Sequence, residues 1–175
     1  MAEVLLRRHL ERSGAEVAVS SAGLLAGGSR ATDHAVAAMA DRGLDLQGHV
    51  SRHVDADMLA RADLVIAMAR EHVCEATAID PSALAKTFTL KELVRGADIA
   101  GPRAPGEEIG AWLDRLAVTR RRADLLGVGH RDELDVEDPA GRQRADYEVT
   151  AELLDGLLAA VVRMAFPSVT EAQTA

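Results

Sequence analysis

Within the 175 residues, the stretch 135–142, D-V-E-D-P-A-G-R, carries the most specific chemistry. Pro139 fixes its own φ and pushes Asp138 out of the helical region, so the Asp138 carboxylate sits on a stiffened turn. Gly141 lets the chain turn again before a long amphipathic segment at residues 145–164. A carboxyl held on a loop between two ordered elements suits a general acid. The same residues are also ordinary turn chemistry, because Asp-Pro followed by Gly starts turns and helices with no catalytic duty.

Other residues that could do chemistry have weaker settings. The single cysteine, Cys74, lies in the helical stretch E-H-V-C-E-A-T, with no glycine-rich loop around it and Asp80 rather than an arginine six residues on. A small, semi-buried helix residue is its ordinary reading, against that of a nucleophile. His49 and His53 stand four apart with Asp55 and Asp57 nearby, but no H-E-x-x-H or cysteine pairing supports a metal. Glu137 and Asp138 are neighbours whose side chains point different ways, so a solvated Glu137 is simpler than a glycosidase-like pair. Residues 23–31 form a Gly- and Ser-rich loop without the spacing or lysine of a phosphate-binding P-loop. Arg142 and Arg144 either draw an anion toward Asp138 or sit on the first turn of the last helix.

Composition narrows the class. Hydrophobic residues make up 48% and charged residues 27% of a chain with net charge −8, the profile of a globular protein of one domain's length. Backbone binding to nucleic acid needs clustered cations, and the run 120–122 is too short to line a groove; it reads as the polar end of a helix. Four aromatics leave no stacking platform for bases. No apolar run is long enough for a membrane span, and the N-terminus has no signal-like apolar region, so no membrane partner and a cytoplasmic location are expected. One cysteine fits a reducing compartment.

The elements that must position Asp138 follow from periodicity. Residues 1–12 read as a helix that begins without a capping residue, with Val4, Leu5, Leu6 and Leu10 on its apolar face and Gly14 ending it. Residues 16–20 read as a strand with Val17 and Val19 on one face. A helix capped by Thr32 or Asp33 runs to Arg42 with Val36, Met39 and Ala40 inward, and another covers 57–62. Residues 64–68, L-V-I-A-M, read as a buried parallel strand covered on both faces. A helix at 70–79, a strand at 87–90, a helical turn at 91–95, a loop at 96–106 and a helix at 108–121 come next. After a polar stretch at 127–133 comes the closing helix, with Leu154, Leu157, Leu158, Val161 and Ala165 on one face. Alternating strands and helices predict an α/β fold with a mostly parallel sheet in one domain over 1–167, followed by a flexible tail at 168–175.

Four segments together resemble the low-molecular-weight protein-tyrosine phosphatase family, which includes arsenate reductases of the same fold. They are M-A-E with L-L-R at the start, V-A-V-S-S-A-G at 17–23, A-D-L-V-I-A-M at 62–68 with F-T-L-K-E-L at 88–93, and D-V-E-D-P-A-G at 135–141. The resemblance implies a three-layer α/β fold with a four-stranded sheet of order two, one, three, four. It also implies hydrolysis of phosphate monoesters on proteins or small molecules through a phosphocysteine, with no metal or organic cofactor required. Asp138 matches the family's general acid, and Ser21 matches a serine near the phosphate loop that also serves to close the second strand. The first strand and the Cys-x5-Arg-Ser-Pro loop have no counterpart in these residues, and M-A-E resembles the residues directly after that loop. The chain is thus expected to be truncated and inactive as written, and its oligomeric state stays open. An arsenate reductase and a non-catalytic remnant or binding module are the alternatives. Ala140 stands where better-known members carry an aromatic, which leaves phosphotyrosine preference open.

Overall fold

The start of the chain is helical because its apolar positions recur at helical spacing. The structure, a computed structural model, describes residues 1–120 and 131–167. Helix α1 (Ala2–Ser13) buries Leu5 and Leu10 and has no side-chain cap at Met1. It ends at Gly14, whose φ of 73° is left-handed; there the Gly14 and Ala15 amides donate to the Glu11 and Leu10 carbonyls at 3.2 and 3.1 Å. Helix α2 (Asp33–Ala40) is capped by Thr32, whose Oγ1 accepts from the Ala35 amide at 3.3 Å. It stops two residues short of Arg42, in a turn that closes at Gly43 with φ 71°, and Ala40 faces outward while Ala35, Ala38 and Met39 are buried. Helix α3 (Ala56–Arg61) starts from Asp55, whose carboxylate accepts from Met58 N at 2.7 Å.

Strand β1 (Val65–Ala67) pairs in parallel with β2 (Thr87–Thr89), with Val65 opposite Thr87 and Ala67 opposite Thr89. Among the described residues this is a two-stranded sheet. β2 is wholly buried, whereas Val65 and Ile66 are half-buried, so β1 is not covered on both faces as its apolar run predicts. Helix α4 (Arg70–Ile79) follows β1 and ends before Pro81, which opens the 3₁₀ turn Pro81–Lys86.

Two sequence expectations fail here for identifiable reasons. Residues 16–20 are not a strand: they form no ladder, Val17 is exposed, and the carbonyl of Val19 is taken by the Arg7 guanidinium at 2.7 Å. Alternating valines mark a strand only where a neighbour supplies the other half of the hydrogen bonds. Helix α5 (Leu90–Ala100) runs through Gly96 instead of stopping at Arg95. Gly96 permits close approach: a Cβ there would lie 3.2 Å from Thr119 Oγ1 and 3.5 Å from Leu116 Cβ, so it seats α6 (Ile109–Ala117) on α5. α6 is also shorter than expected.

Helix α7 (Arg144–Ala165) packs on α1, α2 and α5, burying Leu154, Leu158, Val161 and Ala165, while Leu157 is half-buried. The main core joins these to Leu5, Met39, Phe88, Leu93 and Trp112, and a small satellite holds Leu59, Ala76 and Ala83. α1 is clamped to α7 by Asp155, which accepts from Arg8 at 2.7 Å and meets His9 Nε2 at 2.5 Å. Burial works against the Asp155 carboxylate, but the His9 and Arg8 hydrogen bonds win and hold its pKa below the ordinary value.

Arg120 is the largest departure from expectation. It is not the polar end of a helix but an inward cation, 3.1 Å from Glu92, with both side chains nearly buried. Its guanidinium lies 3.8 Å from the Phe88 ring centroid and donates to the carbonyls of Leu84 and Thr87. Burial lowers its pKa, with Glu92 opposing that shift. The rest of the run at 120–122, residues 127–130 of the polar stretch, and the tail at 168–175 lie outside the described residues.

The Gly-rich loop is closed onto residues 50–54. Gly28 N donates to Ser51 O at 2.8 Å, Ser51 N to Ser29 O at 2.8 Å, and Gly23 N to Arg52 O at 2.9 Å. At Gly27 the two backbones nearly touch, since a Cβ would come within 2.9 Å of Ser51 O.

Two substitutions test this frame through stability. Arg120→Met leaves Glu92 buried without its ion, and removing one member of a buried pair costs about 3 to 5 kcal/mol; a loss in urea unfolding below about 1 kcal/mol, the level of surface pairs, would place the pair in solvent. Gly27→Ala forces residues 51–53 outward and should cost about 1 to 3 kcal/mol, the range for overpacking, with amide exchange accelerated first at Gly28 and Ser51. Unchanged exchange at both would show that the loop absorbs a methyl group.

Candidate functional site

The end of β1 sets the place of Asp138. Beyond Ala67 the carbonyl of Met68 accepts from Val136 N at 2.7 Å, so the returning chain is tied to the carboxyl end of the strand. The preceding residue is held twice. Asp135 Oδ1 accepts from Arg70 N at 2.8 Å, at the first turn of α4, and its carbonyl accepts from Lys91 Nζ at 2.6 Å. Val136 and Pro139 are buried, and Glu137, Asp138 and Ala140 are exposed. The apolar pair thus anchors the loop and turns the carboxylates outward.

The turn itself is closed by its own atoms. Asp138 Oδ1 accepts from Ala140 N at 2.9 Å, and Arg142 N donates to Pro139 O at 2.9 Å. Gly141 has φ 77°, a left-handed conformation that a side chain would strain. Asp138 therefore sits on a short, doubly bonded turn at the carboxyl end of a parallel strand, where open α/β sheets place ligands. An exposed carboxyl there can give a proton to a bound group or take one from it. Glu137 pairs with Arg142 at 2.8 Å, and that hydrogen bond raises the arginine's pKa. Arg144 is engaged by Glu148 at 2.8 Å and Asp41 at 2.5 Å, so it serves the first turn of α7.

Ser21 belongs to a different cluster. Its Oγ donates to Glu3 Oε2, Glu3 Oε1 pairs with Arg7 at 2.5 Å, and Arg52 donates to the Ser21 carbonyl at 3.1 Å. Glu3 and Arg7 line a polar cleft of about 340 Å³ beside the start of α1, together with Asp45, His49 and Arg52. Asp138 does not line it.

The remaining candidates separate. Cys74 is exposed on α4, not semi-buried. His49 lies in the cleft wall while His53 turns its Nδ1 to the Leu25 carbonyl at 3.2 Å. Among the described residues no three His, Cys, Asp or Glu side chains are grouped to hold a metal. No helix among those residues is long and apolar enough to cross a membrane. Asp135 and Lys91 escaped the sequence reading because their partners are remote, Asp135 bonding an amide 65 residues away.

Comparison with known proteins agrees with this architecture. The family model for low molecular weight phosphotyrosine protein phosphatase matches residues 1–116. A protein-arginine-phosphatase of Bacillus subtilis (strain 168) is 38% identical over 129 residues, covering 72% of this chain and 81% of that protein. A probable low molecular weight protein-tyrosine-phosphatase, EpsP, of Ralstonia solanacearum is 34% identical over 125 residues, covering 71% and 81%. The crystal structure of a YwlE mutant from Bacillus subtilis superposes with a TM-score of 0.68 at 29% identity, covering 93% of this chain and 86% of that one. The chain belongs to the low molecular weight phosphotyrosine protein phosphatase family.

Proposed function

We propose that this domain, residues 1–167, is the part that carries the acid–base residue of an enzyme that removes phosphate from phosphorylated protein or small phosphomonoesters in the cytoplasm through a phosphocysteine, with Asp138 as the general acid and then the general base. The observation that carries this is the bonded Asp138 turn at the carboxyl end of β1 in a chain of this family. A thiolate attacks phosphorus, the bond to the leaving oxygen breaks, and Asp138 protonates that oxygen. Water then attacks the phosphocysteine, giving its proton to Asp138 and releasing phosphate and the thiolate.

The nucleophile and its anion-clamping arginine come from outside these 175 residues, because Cys74 is exposed on a helix and no Cys-x5-Arg occurs in them. Backbone amides of such a loop, set at a helix N-terminus, would hold the phosphoryl oxygens and stabilise charge in the transition state. The sheet would be completed to the order two, one, three, four by a strand between β1 and residues 16–20. β1 pairs on one edge only among the described residues, and 16–20 forms no ladder, which leaves room for such a strand. Ser21, bonded to Glu3 at the start of α1, would stand beside the loop.

A second substrate reading has its own support. A relative at 38% identity is named a protein-arginine-phosphatase, and Ala140 offers no aromatic wall beside Asp138. On phosphoarginine the same carboxyl would protonate nitrogen instead of oxygen.

Two outcomes test the reaction. The 175 residues alone should hydrolyse aryl phosphates no faster than buffer, with Cys74→Ser changing nothing, and the same chain joined to an upstream strand and Cys-x5-Arg-Ser-Pro loop should turn over. Robust activity of the shorter chain that Cys74→Ser abolishes would make Cys74 the nucleophile. In the joined chain, Asp138→Ala should lower turnover by about 10² to 10⁴ on substrates with poor leaving groups and less on activated ones. Equal losses on both would reduce Asp138 to a structural role.

A further inference from the structure

We infer that Asp135 is the positioning residue of the Asp138 loop, coupling it to the N-terminus of α4. The inference rests on Asp138 as the general acid and adds what holds it. Helix α4 is entered from Ala69 at the N-cap, which has no side-chain acceptor for the first orphan amides. Asp135 supplies that acceptor from another part of the chain, bonding Arg70 N at 2.8 Å. A carboxylate suits this place because the helix N-terminus carries partial positive charge. Its own carbonyl is engaged by Lys91 from α5 at 2.6 Å, and the next amide, Val136 N, reaches Met68 O at 2.7 Å. Three bonds, from α4, α5 and Met68 just past β1, therefore converge on Asp135 and Val136, three and two positions ahead of Asp138, and the first of them is the one the Asp135 side chain makes.

The arrangement is more than a helix cap. A serine or aspartate at position 69 would cap α4 locally without tying the Asp138 loop to that helix. Downstream of Val136, the loop is held by Pro139 in its buried position and by the Asp138–Ala140 bond. Asp135→Ala removes the bond to α4 and leaves the Lys91 and Met68 bonds, which use backbone atoms, so the upstream arm is loosened and Asp138 samples positions away from the leaving group more often. Proximity of a proton donor to the reacting atom is steep in distance, so a loosened turn lowers turnover with the leaving-group dependence of general acid loss.

Amide exchange in the 175-residue chain, followed by NMR, tests this without any activity. Asp135→Ala should accelerate exchange at Arg70, Val136 and Ala140 by about tenfold, the factor typical of a lost cap, with Leu158 in the core unchanged. Asp135→Asn, which keeps an acceptor oxygen, should recover most of that protection. Adding Ala69→Ser to Asp135→Ala, which recaps α4 at the Glu71 or His72 amide, should protect those amides but leave Val136 and Ala140 fast. Recovery of Val136 and Ala140 in that double variant, or acceleration of Leu158 in Asp135→Ala, would overturn the inference, since Asp135 would then be a plain cap or a general stabiliser. In the chain joined to a nucleophile loop, Asp135→Ala should lower kcat about tenfold on poor leaving groups and less on activated ones, at similar KM. If Asp138→Ala shows that dependence and Asp135→Ala does not, positioning fails. If Asp138→Ala itself lacks it, the general-acid reading fails while the exchange result stands.

Discussion

The ion pair of Glu92 and Arg120 is the interaction on which the site's frame depends. Glu92 does double duty: one carboxylate oxygen reaches back to Thr89 N in the capping box that starts α5, and the other meets Arg120. Arg120 in turn spends its donors on the carbonyls of Leu84 and Thr87 and lays its plane on Phe88. The end of the 3₁₀ turn, all of β2 and the start of α5 are thereby fixed to one another. β2 sets β1, and β1 offers the carbonyl of Met68 to the loop that bears Asp138. A buried charge pair of this kind gives little net stability over an apolar alternative, but its directional bonds define one arrangement.

Much of this was legible in the sequence where the signal was local. α4 stops before Pro81 because proline cannot continue the hydrogen-bond pattern, and the Thr32 cap and the apolar face of α7 can be read from spacing alone. What could not be read was anything that depends on a distant partner. The valines at 17 and 19 have a strand's alternation and no ladder; Gly96 has a helix breaker's chemistry but serves close packing of α5 and α6. Arg120 looks like a solvated end of a basic run until Glu92, 28 residues earlier, is placed against it.

The candidate site shows the same division. The turn at Asp138 was visible because proline and glycine constrain it from within. Its foundation was not, because Asp135, Lys91 and Met68 come from separate elements. The cleft at α1, with Glu3, Arg7 and Arg52 around Ser21, is likewise built by side chains reaching across loops. Family membership points to phosphoryl chemistry, and under the proposed function these supports set how steadily the Asp138 carboxyl is held.

The clamp between α1 and α7 has a consequence for how the protein is made. Arg8 and Asp155 are 147 residues apart in sequence, yet α7 is what covers the apolar face of α1. During synthesis at about 5 to 20 residues per second, that face waits on the order of 10 s for its cover to emerge from the ribosome. Until then Leu5 and Leu10 are open to other chains or to a chaperone. A helix made well before its partner is thus among the last to be secured, and this core closes as a late, non-local event.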